Sequence, residues 1–308
     1  MHITMFPSPL KPARGAWLLM AVAAASFAGR ASAQGDDPIL ADWTFNNVPV
    51  ATNNSPAPAI GAGTAAGLGM TNGYTYPYTP PTVGATNNDD IIVTAGSSTN
   101  SGTDQAWRIR GLTNAAGPPG SANGWNTAAP QYTQGAQFSV STLHTSNIVV
   151  KYDWFTTNQG VADQQFQYTV DGTNWINQKT SISLAAGPNV GLNVASPNAF
   201  NNNITIDFGA LGIHTVDNDP AFAIRMVSAY DQTFNNTTPN AGTGLTGFGT
   251  TYTGASGGVY NDTSGNWRFD NVIVSGTTIP TPEPASIVMA GLGLVSLFYC
   301  GWRRRRSA

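Results

Sequence analysis

Cysteine and glutamate are almost missing from this 308-residue chain, which holds one of each, Cys300 and Glu283. The long stretch before Cys300 therefore has no disulfide, no cysteine nucleophile and no Cys-ligated metal centre. Every acidic residue other than Glu283 is an aspartate. Glycoside hydrolysis needs two carboxylates that flank the scissile bond, so such a pair would have to be built from aspartates.

Histidine and positive charge are also scarce. His144 and His214 lie in neither a Gly-x-Ser-x-Gly nor a His-Glu-x-x-His motif. Between Gln34 and Pro282, six lysines and arginines stand against 15 aspartates, which gives a formal net charge of −9. An acidic surface argues against a nucleic-acid partner, because phosphate contacts need Lys and Arg. It is compatible with divalent cations and with neutral polysaccharide.

The central stretch, residues 34–278, shows no sustained helical periodicity. Short runs of alternating apolar and polar residues are separated by clusters of Gly, Asn, Asp, Ser, Thr and Pro, as in all-β domains. The segment Asp171-Gly-Thr-Asn174 lies between two such runs and predicts a hairpin turn, because Gly tolerates positive φ. We predict one all-β domain, an antiparallel two-sheet sandwich of the jelly-roll type. Residues 48–84 and 231–262 are expected to be mostly loops.

Two short segments of this domain resemble parts of bacterial extracellular jelly-roll modules, including carbohydrate-binding modules. They are the hairpin Phe166–Trp175 and the closing stretch Trp267–Val272. In such modules an aspartate of the last strand often joins oxygens of the first strand at a structural calcium ion. The resemblance therefore implies a possible calcium site with Asp42, Asn46 and Asp270 as ligands, since calcium takes 6–8 oxygen ligands. The alternative is that Asp270 is a turn or edge residue held by hydrogen bonds.

The N-terminal segment, residues 1–33, has the layout of a secretory signal peptide. Lys11 and Arg14 precede an apolar stretch over residues 16–27, and small residues at Ala31 and Ala33 fit a cleavage site. We expect a signal helix that is removed after Ala33 during export. An uncleaved membrane anchor is the alternative, although the apolar stretch is short for it.

The C-terminal segment, residues 279–308, has three parts in a fixed order. The tripeptide Pro282-Glu283-Pro284 is followed by the uncharged run 285–302 and then by four arginines, Arg303, Arg304, Arg305 and Arg306. A helix of that run would span roughly 27 Å, close to the thickness of about 30 Å of a bilayer core. We expect a transmembrane helix whose arginines stay on the cytoplasmic side.

This layout resembles the PEP-CTERM sorting signal of bacterial surface proteins. The resemblance implies export and brief anchoring through the C-terminal helix. It also implies recognition and cleavage near the tripeptide by an exosortase-type transpeptidase, in the manner of a removable address. The mature protein would then reside on the cell surface or in the extracellular matrix. A plain C-terminal membrane anchor is the alternative.

Aromatic residues supply the candidates for sugar stacking. Tyr74, Tyr76 and Tyr78 alternate, so an extended segment would project all three rings from one side. Trp125 lies in a Gly-rich segment and is a second candidate for an exposed ring. The alternative for the tyrosines is that they pack over the sheet as a cover. Four other tryptophans lie in predicted strands and are expected in the core: Trp107, Trp154, Trp175 and Trp267.

These features together predict an exported, non-enzymatic surface or matrix protein. Its expected role is adhesion or binding that involves extracellular polysaccharide, with calcium as a possible structural ion. One alternative is a polysaccharide hydrolase or lyase that uses aspartates. A second alternative is a structural component of a surface layer.

Overall fold

The computed structural model describes residues 38–46, 55–68, 72–77, 105–110, 125, 130–183, 192–240, 243–260, 265–280 and 284–306. The predicted signal segment, including Ala31 and Ala33, lies outside the described residues, as does Tyr78.

The described residues form short strands joined mostly by turns and irregular segments. In chain order the strands are β1 (Ile39–Trp43), β2 (Ile60–Gly61), β3 (Thr64–Leu68), β4 (Asn72–Pro77), β5 (Gln105–Arg110), β6 (Gly135–Ser139), β7 (Thr145–Thr156), β8 (Asp163–Thr169), β9 (Ile176–Asn177), β10 (Leu192–Val194), β11 (Ala199–Asp207), β12 (Ala223–Ser228), β13 (Asn235–Asn236), β14 (Gly247–Phe248) and β15 (Asn266–Thr278).

Two antiparallel sheets contain nearly all of these strands. A seven-stranded sheet runs in the order β11-β7-β15-β1-β2, and β5 pairs with both β15 and β4. A six-stranded sheet runs in the order β10-β8-β12-β6-β3, and β9 also pairs with β8. The strands β13 and β14 form a separate two-stranded ribbon.

The two sheets meet through one aromatic-rich core. Trp43 of β1 contacts Phe138 of β6 with ring centroids 4.9 Å apart, and Tyr152 of β7 stacks on Phe166 of β8 at 6.0 Å. Alternate residues of each strand therefore face inward, as the period of two in a strand requires. The opposite side of each sheet is its outer face, and the candidate site lies on one of these faces.

The predicted class is confirmed: the chain is mostly β, with two antiparallel sheets. The jelly-roll connection remains a prediction. The expected loop over residues 48–84 was wrong in part, because β2, β3 and β4 fall within it. This stretch is rich in Gly, Ala, Pro and Thr, and its strands are held by pairing with β1, β6 and β5 rather than by apolar alternation.

The C-terminal segment contains the expected helix, α1, over Pro284–Arg306. The transmembrane helix predicted there is not found. Within the described ranges, no helix combines the length and apolar character needed to cross a membrane.

Candidate functional site

The outer face of the six-stranded sheet carries a row of long polar side chains. Gln137 of β6, Arg225 of β12, Gln167 of β8 and Asn177 of β9 stand opposite one another across the four strands. Their sequence neighbours belong to the core: Ala136, Phe138, Phe166, Tyr168, Ile224 and Met226. Because side chains alternate along a strand, the four polar residues point away from the core. We call this surface the polar face.

Hydrogen bonds connect the row in one direction. The Arg225 Nε donates to Gln167 Oε1 at 2.5 Å, and Gln167 Nε2 donates to Asn177 Oδ1 at 2.6 Å. The amide of Asn177 in turn bonds the phenol of Tyr132. Arginine can only donate, so it fixes the orientation of both amides. Such a chain is polarised along its length and holds each side chain in one rotamer.

Tyr132 contributes an aromatic ring and a hydroxyl to the polar face. It lies in the turn before β6, where its backbone N–H donates to the carbonyl of Ser228 at 2.7 Å. Its hydroxyl nevertheless reaches Asn177 of β9, and the sheet order places β12 and β8 between these positions. The turn before β6 therefore brings the Tyr132 hydroxyl onto the outer face, next to Asn177. Burial raises the pKa of its phenol, which keeps the hydroxyl neutral and able to donate.

Trp175 supplies a second ring on the same face. The guanidinium carbon of Arg225 lies 4.2 Å from the centre of the Trp175 ring, within the range of a cation–π contact. Trp175 is only partly buried. It follows the predicted hairpin turn, which the structure confirms with Gly172 at a φ of 72°. The expectation that Trp175 belongs to the core was wrong, because the turn delivers it to the outer face.

The hairpin turn is held by one carboxylate. Asp171 Oδ1 accepts hydrogen bonds from the backbone N–H groups of Thr173 and Asn174 at 2.8 and 2.7 Å and from the Thr169 hydroxyl at 3.0 Å. These bonds hold the pKa of Asp171 well below its usual range. The negative charge nearest to Trp175 in sequence is therefore committed to the turn and makes no ion pair with Arg225.

Arg225 has no counter-ion among the residues that the structure describes. Its contacts are the hydrogen bond to Gln167 and the stack on Trp175. Partial burial lowers the pKa of its guanidinium to about 10, so the group remains charged at neutral pH. A half-buried cation in an acidic domain is the main electrostatic feature of the polar face.

A cleft adjoins the polar face at its Ser139 end. Its volume is about 320 Å³, and its lining includes Thr64, Ser139 and Ala221. Gln137 Nε2 donates to the Ser139 hydroxyl at 3.4 Å, which links the cleft to the polar row. Amide, guanidinium and hydroxyl groups beside two aromatic rings match the needs of a polyhydroxylated ligand, which presents many donors and acceptors and an apolar ring face.

The aromatic residues singled out from the sequence fall elsewhere. Tyr74 and Tyr76 lie in β4, opposite Arg108 and Ala106 of β5. Trp125 was expected to be exposed, but it is 0% exposed and packs against Trp267 with ring centroids 4.4 Å apart. Its backbone N–H donates to the Tyr260 hydroxyl at 2.6 Å, which helps to hold Trp125 in the core. The core positions expected for Trp107, Trp154 and Trp267 are confirmed.

The three predicted calcium ligands are not brought together by the strand register. Asp42 stands opposite Ile273, whereas Asp270 stands opposite Asp153 on the other side of β15. Asn46 Oδ1 accepts from the backbone N–H of Gln105 at 2.8 Å. The carboxylate of Asp270 accepts from the backbone N–H of Asn271 at 2.8 Å, which fits the alternative of a hydrogen-bonded aspartate at a β-bulge. Among the described residues, no three His, Cys, Asp or Glu side chains are grouped to hold a metal.

One pair of carboxylates does approach a shared partner. The Thr253 hydroxyl lies 3.2 Å from Asp163 Oδ2 and 3.1 Å from Asp231 Oδ2. A hydroxyl has one proton to donate, so both carboxylates cannot be ionised acceptors at once. Burial and the charge of Asp231 raise the pKa of Asp163 to about 8. The raised pKa favours the protonated form of Asp163, in which its hydroxyl can donate to Thr253 while Thr253 donates to Asp231.

The pair Asp163 and Asp231 is too buried to cleave the glycosidic bond of a polymer. Asp163 is 1% exposed, so a glycosidic bond cannot reach its carboxyl group. Asp231 Oδ1 is occupied by the backbone N–H and hydroxyl of Thr233, each at 2.7 Å. Through the Thr253 hydroxyl, the pair connects the segment after β12 to the start of β8.

The polar face was missed in the sequence because its members are far apart along the chain. Tyr132, Gln167, Trp175 and Arg225 come from four separate segments and share no short motif. The available signal was the polar character of alternate positions in β8, where Gln165 and Gln167 flank Phe166. A polar residue on the outer side of a strand is ordinary, so this signal gains meaning only when neighbouring strands are known.

Comparison with protein families gives one match, at the C-terminus. The PEP-CTERM protein-sorting motif matches residues 280–306, which include the tripeptide and the four arginines. No curated protein matches the chain. The chain therefore carries a PEP-CTERM sorting motif, as predicted. This motif points to an exported protein that is held briefly at the membrane, processed by exosortase and sorted to the cell surface.

Proposed function

We propose that this chain is a non-enzymatic protein of the cell surface or extracellular matrix that binds polysaccharide through the polar face. The sorting motif supplies the destination. The domain would then act as an adhesion or binding module, for which the jelly-roll connection remains our preferred topology.

The observation that carries this proposal is the hydrogen-bonded row of Arg225, Gln167 and Asn177 between the rings of Trp175 and Tyr132. Each side chain is held by its neighbour before any ligand arrives. Preorganised groups lose little conformational entropy on binding, which supports affinity for a flexible polymer. Aromatic rings beside amides also suit a sugar, which has an apolar ring face and hydroxyls at its edge.

The alternatives have less support. A hydrolase or lyase needs a pair of accessible carboxylates, whereas in the pair that shares Thr253, Asp163 is 1% exposed and Asp231 Oδ1 is held by Thr233. A purely structural surface-layer component would not need a polar row that is aligned and half-open. Calcium remains a proposal, and the buried Asp42 Oδ1, which has no hydrogen-bond partner in the described part of the chain, is the one predicted ligand atom still open to it.

Affinity electrophoresis of the full chain, purified in mild detergent, tests the proposal. Gels that contain cellulose derivatives, xylan, polygalacturonate or the exopolysaccharide of the producing bacterium would be compared with a polymer-free gel. We expect retardation by at least one polymer and no release of reducing ends from any of them. Unchanged mobility in every gel would refute polysaccharide binding, and steady release of reducing ends would favour the enzyme.

A further inference from the structure

Arg225 differs from the other basic residues that the structure describes in the sheets. Arg108 and Arg268 are fully buried, at 0% and 1% exposure, on the seven-stranded sheet. Lys151 and Lys179 are exposed and solvated. Arg225 lies between these extremes, because it is half-buried and open to solvent on an outer face.

Most of its hydrogen-bonding capacity is unused by the protein. A guanidinium has five N–H donors, and the bond from Nε to Gln167 Oε1 uses one of them. The four remaining donors, on the two terminal nitrogens, have no partner in the described part of the chain. The hydrogen bond to Gln167 and the position over the Trp175 ring together restrict the guanidinium, and its four other donors lie in its own plane. A ligand that approaches the edge of the guanidinium therefore meets N–H donors on both terminal nitrogens.

We propose that the polar face selects polysaccharides that carry carboxylates, and that the guanidinium of Arg225 binds the carboxylate of a uronic acid residue. This inference rests on the proposed function and names the class of its ligand. A planar fork matches a carboxylate through two parallel hydrogen bonds, and such bonds are stronger than those between neutral groups. Asn177 and Tyr132 lie further along the same row, two strands from Arg225, and would bond hydroxyls of the same polymer.

Charge complementarity is local in this arrangement. The domain is acidic as a whole, so an anionic polymer gains nothing from its net charge. The half-buried Arg225 is partly desolvated, and an opposite charge interacts more strongly there than at a fully exposed lysine. Binding should therefore depend on this one cation and not on the sum of the surface charges.

The test compares two polymers that differ only at the carboxyl group, which is a carboxylate in one and an uncharged methyl ester in the other. Polygalacturonate and its fully methyl-esterified form share one backbone, and esterification removes each carboxylate charge. Calorimetric titrations of the full chain in mild detergent would be run with a chelator, so that calcium cannot bridge acidic protein and acidic polymer. We expect polygalacturonate to bind at least about tenfold more tightly than the ester.

Two variants separate the specific contact from bulk charge. Arg225→Gln should reduce the affinity for polygalacturonate by about tenfold or more and should reduce the affinity for the ester by a clearly smaller factor, so that the preference for the charged polymer is lost. Lys151→Gln removes the same charge from the outer face of the other sheet and should bind as the wild type does. An equal loss in both variants would overturn the inference, since bulk charge would then explain the binding.

The affinities of the wild type for polygalacturonate and for its ester test carboxylate selection even where a variant fails to fold. Equal affinity for the two polymers, or tighter binding of the ester, would overturn carboxylate selection and leave polysaccharide binding intact. Failure to bind either polymer, together with binding of a neutral glycan in the gels described above, would also overturn it. Failure with every polymer would remove the proposed function itself.

Discussion

The guanidinium of Arg225 lies over the ring of Trp175 on the outer side of the six-stranded sheet, with 4.2 Å between the guanidinium carbon and the ring centre. The contact joins β12 to the end of a hairpin that the sequence marks by Asp171-Gly-Thr-Asn174. It holds the Arg225 cation beside the amides of Gln167 and Asn177. This cation has no acidic partner among the described residues. This relationship defines the polar face and leads to the first prediction.

Trp175→Ala should weaken polysaccharide binding by about tenfold or more, because it removes a stacking ring and releases the plane of Arg225. Its effect on folding should be small, about 0.5–1 kcal/mol for a cation–π contact at a partly exposed site. Retardation in affinity gels measures the first effect and urea unfolding the second. Phe248→Ala is the matched control, since that ring is 65% exposed on β14 and outside the polar face. Equal retardation of both variants and the wild type would contradict the assignment.

Asp163 should make the stability of the domain depend on pH. Its pKa is about 8 in the folded chain, against an ordinary value of 3.8, so the folded state binds a proton more tightly than the unfolded state. The stabilisation is complete below pH 3.8 and is lost as the pH rises toward 8. The free energy of unfolding should fall over this window by at most about 1.4 kcal/mol per pH unit.

Asp163→Asn mimics the protonated acid and should remove that dependence. We expect the variant to match the wild type below about pH 3.8 and to become progressively the more stable of the two between pH 5 and pH 9. Urea unfolding at intervals of one pH unit measures the difference between the two chains, in which the other titrating groups largely cancel. A difference that does not vary between pH 5 and pH 9 would show that Asp163 is ionised in the folded chain.

Trp125→Ala should be strongly destabilising. The side chain is fully buried against Trp267, and truncation of a buried large aromatic residue typically costs about 3–5 kcal/mol. The urea midpoint should fall accordingly, while Phe248→Ala should stay within about 0.5 kcal/mol of the wild type, as surface changes do. A stable Trp125→Ala chain with weakened sugar binding would restore the earlier view of Trp125 as an exposed ring.

Glu283→Ala should block processing of the C-terminus. Glu283 is the only glutamate of the chain and the centre of the tripeptide in the sorting motif. The variant should accumulate in the membrane fraction with Arg303 to Arg306 still attached, whereas the mature wild-type chain should have lost them. Intact-mass measurement of both fractions distinguishes the two forms. Thr281→Ser, one residue outside the tripeptide, is the control, and equal release of Glu283→Ala and the wild type would exclude recognition of this glutamate.

The sequence predicted the features that depend on local order. Alternation of apolar and polar residues revealed the strands around Ile148 and Ile224, and the turn at Asp171 followed from its Gly. The sorting motif could be recognised because its tripeptide and arginines are contiguous. Local patterns of this kind survive in the folded chain because they are set by the period of a strand and by turn chemistry.

Features that depend on register could not be predicted. Trp175 was expected in the core and Trp125 on the surface, and the structure shows the opposite. Whether such a ring is buried depends on which segments pair with each other. Asp42 and Asp270 were expected to meet, but a β-bulge after Asp270 and the pairing of Asp42 with Ile273 separate their positions. A shift of one residue reverses the face of every side chain, so neither the polar face nor the calcium set follows from spacing alone.

Titration calorimetry of the full chain with the exopolysaccharide of its own bacterium tests polysaccharide binding by the polar face most directly. Parallel runs with calcium and with a chelator would include the wild type, Trp175→Ala and Phe248→Ala. We expect saturable binding in both buffers that Trp175→Ala weakens by about tenfold or more and Phe248→Ala retains. Binding that vanishes only with the chelator would contradict the role of the polar face in favour of calcium. No heat in either buffer would contradict polysaccharide binding and leave a structural surface component as the function to pursue.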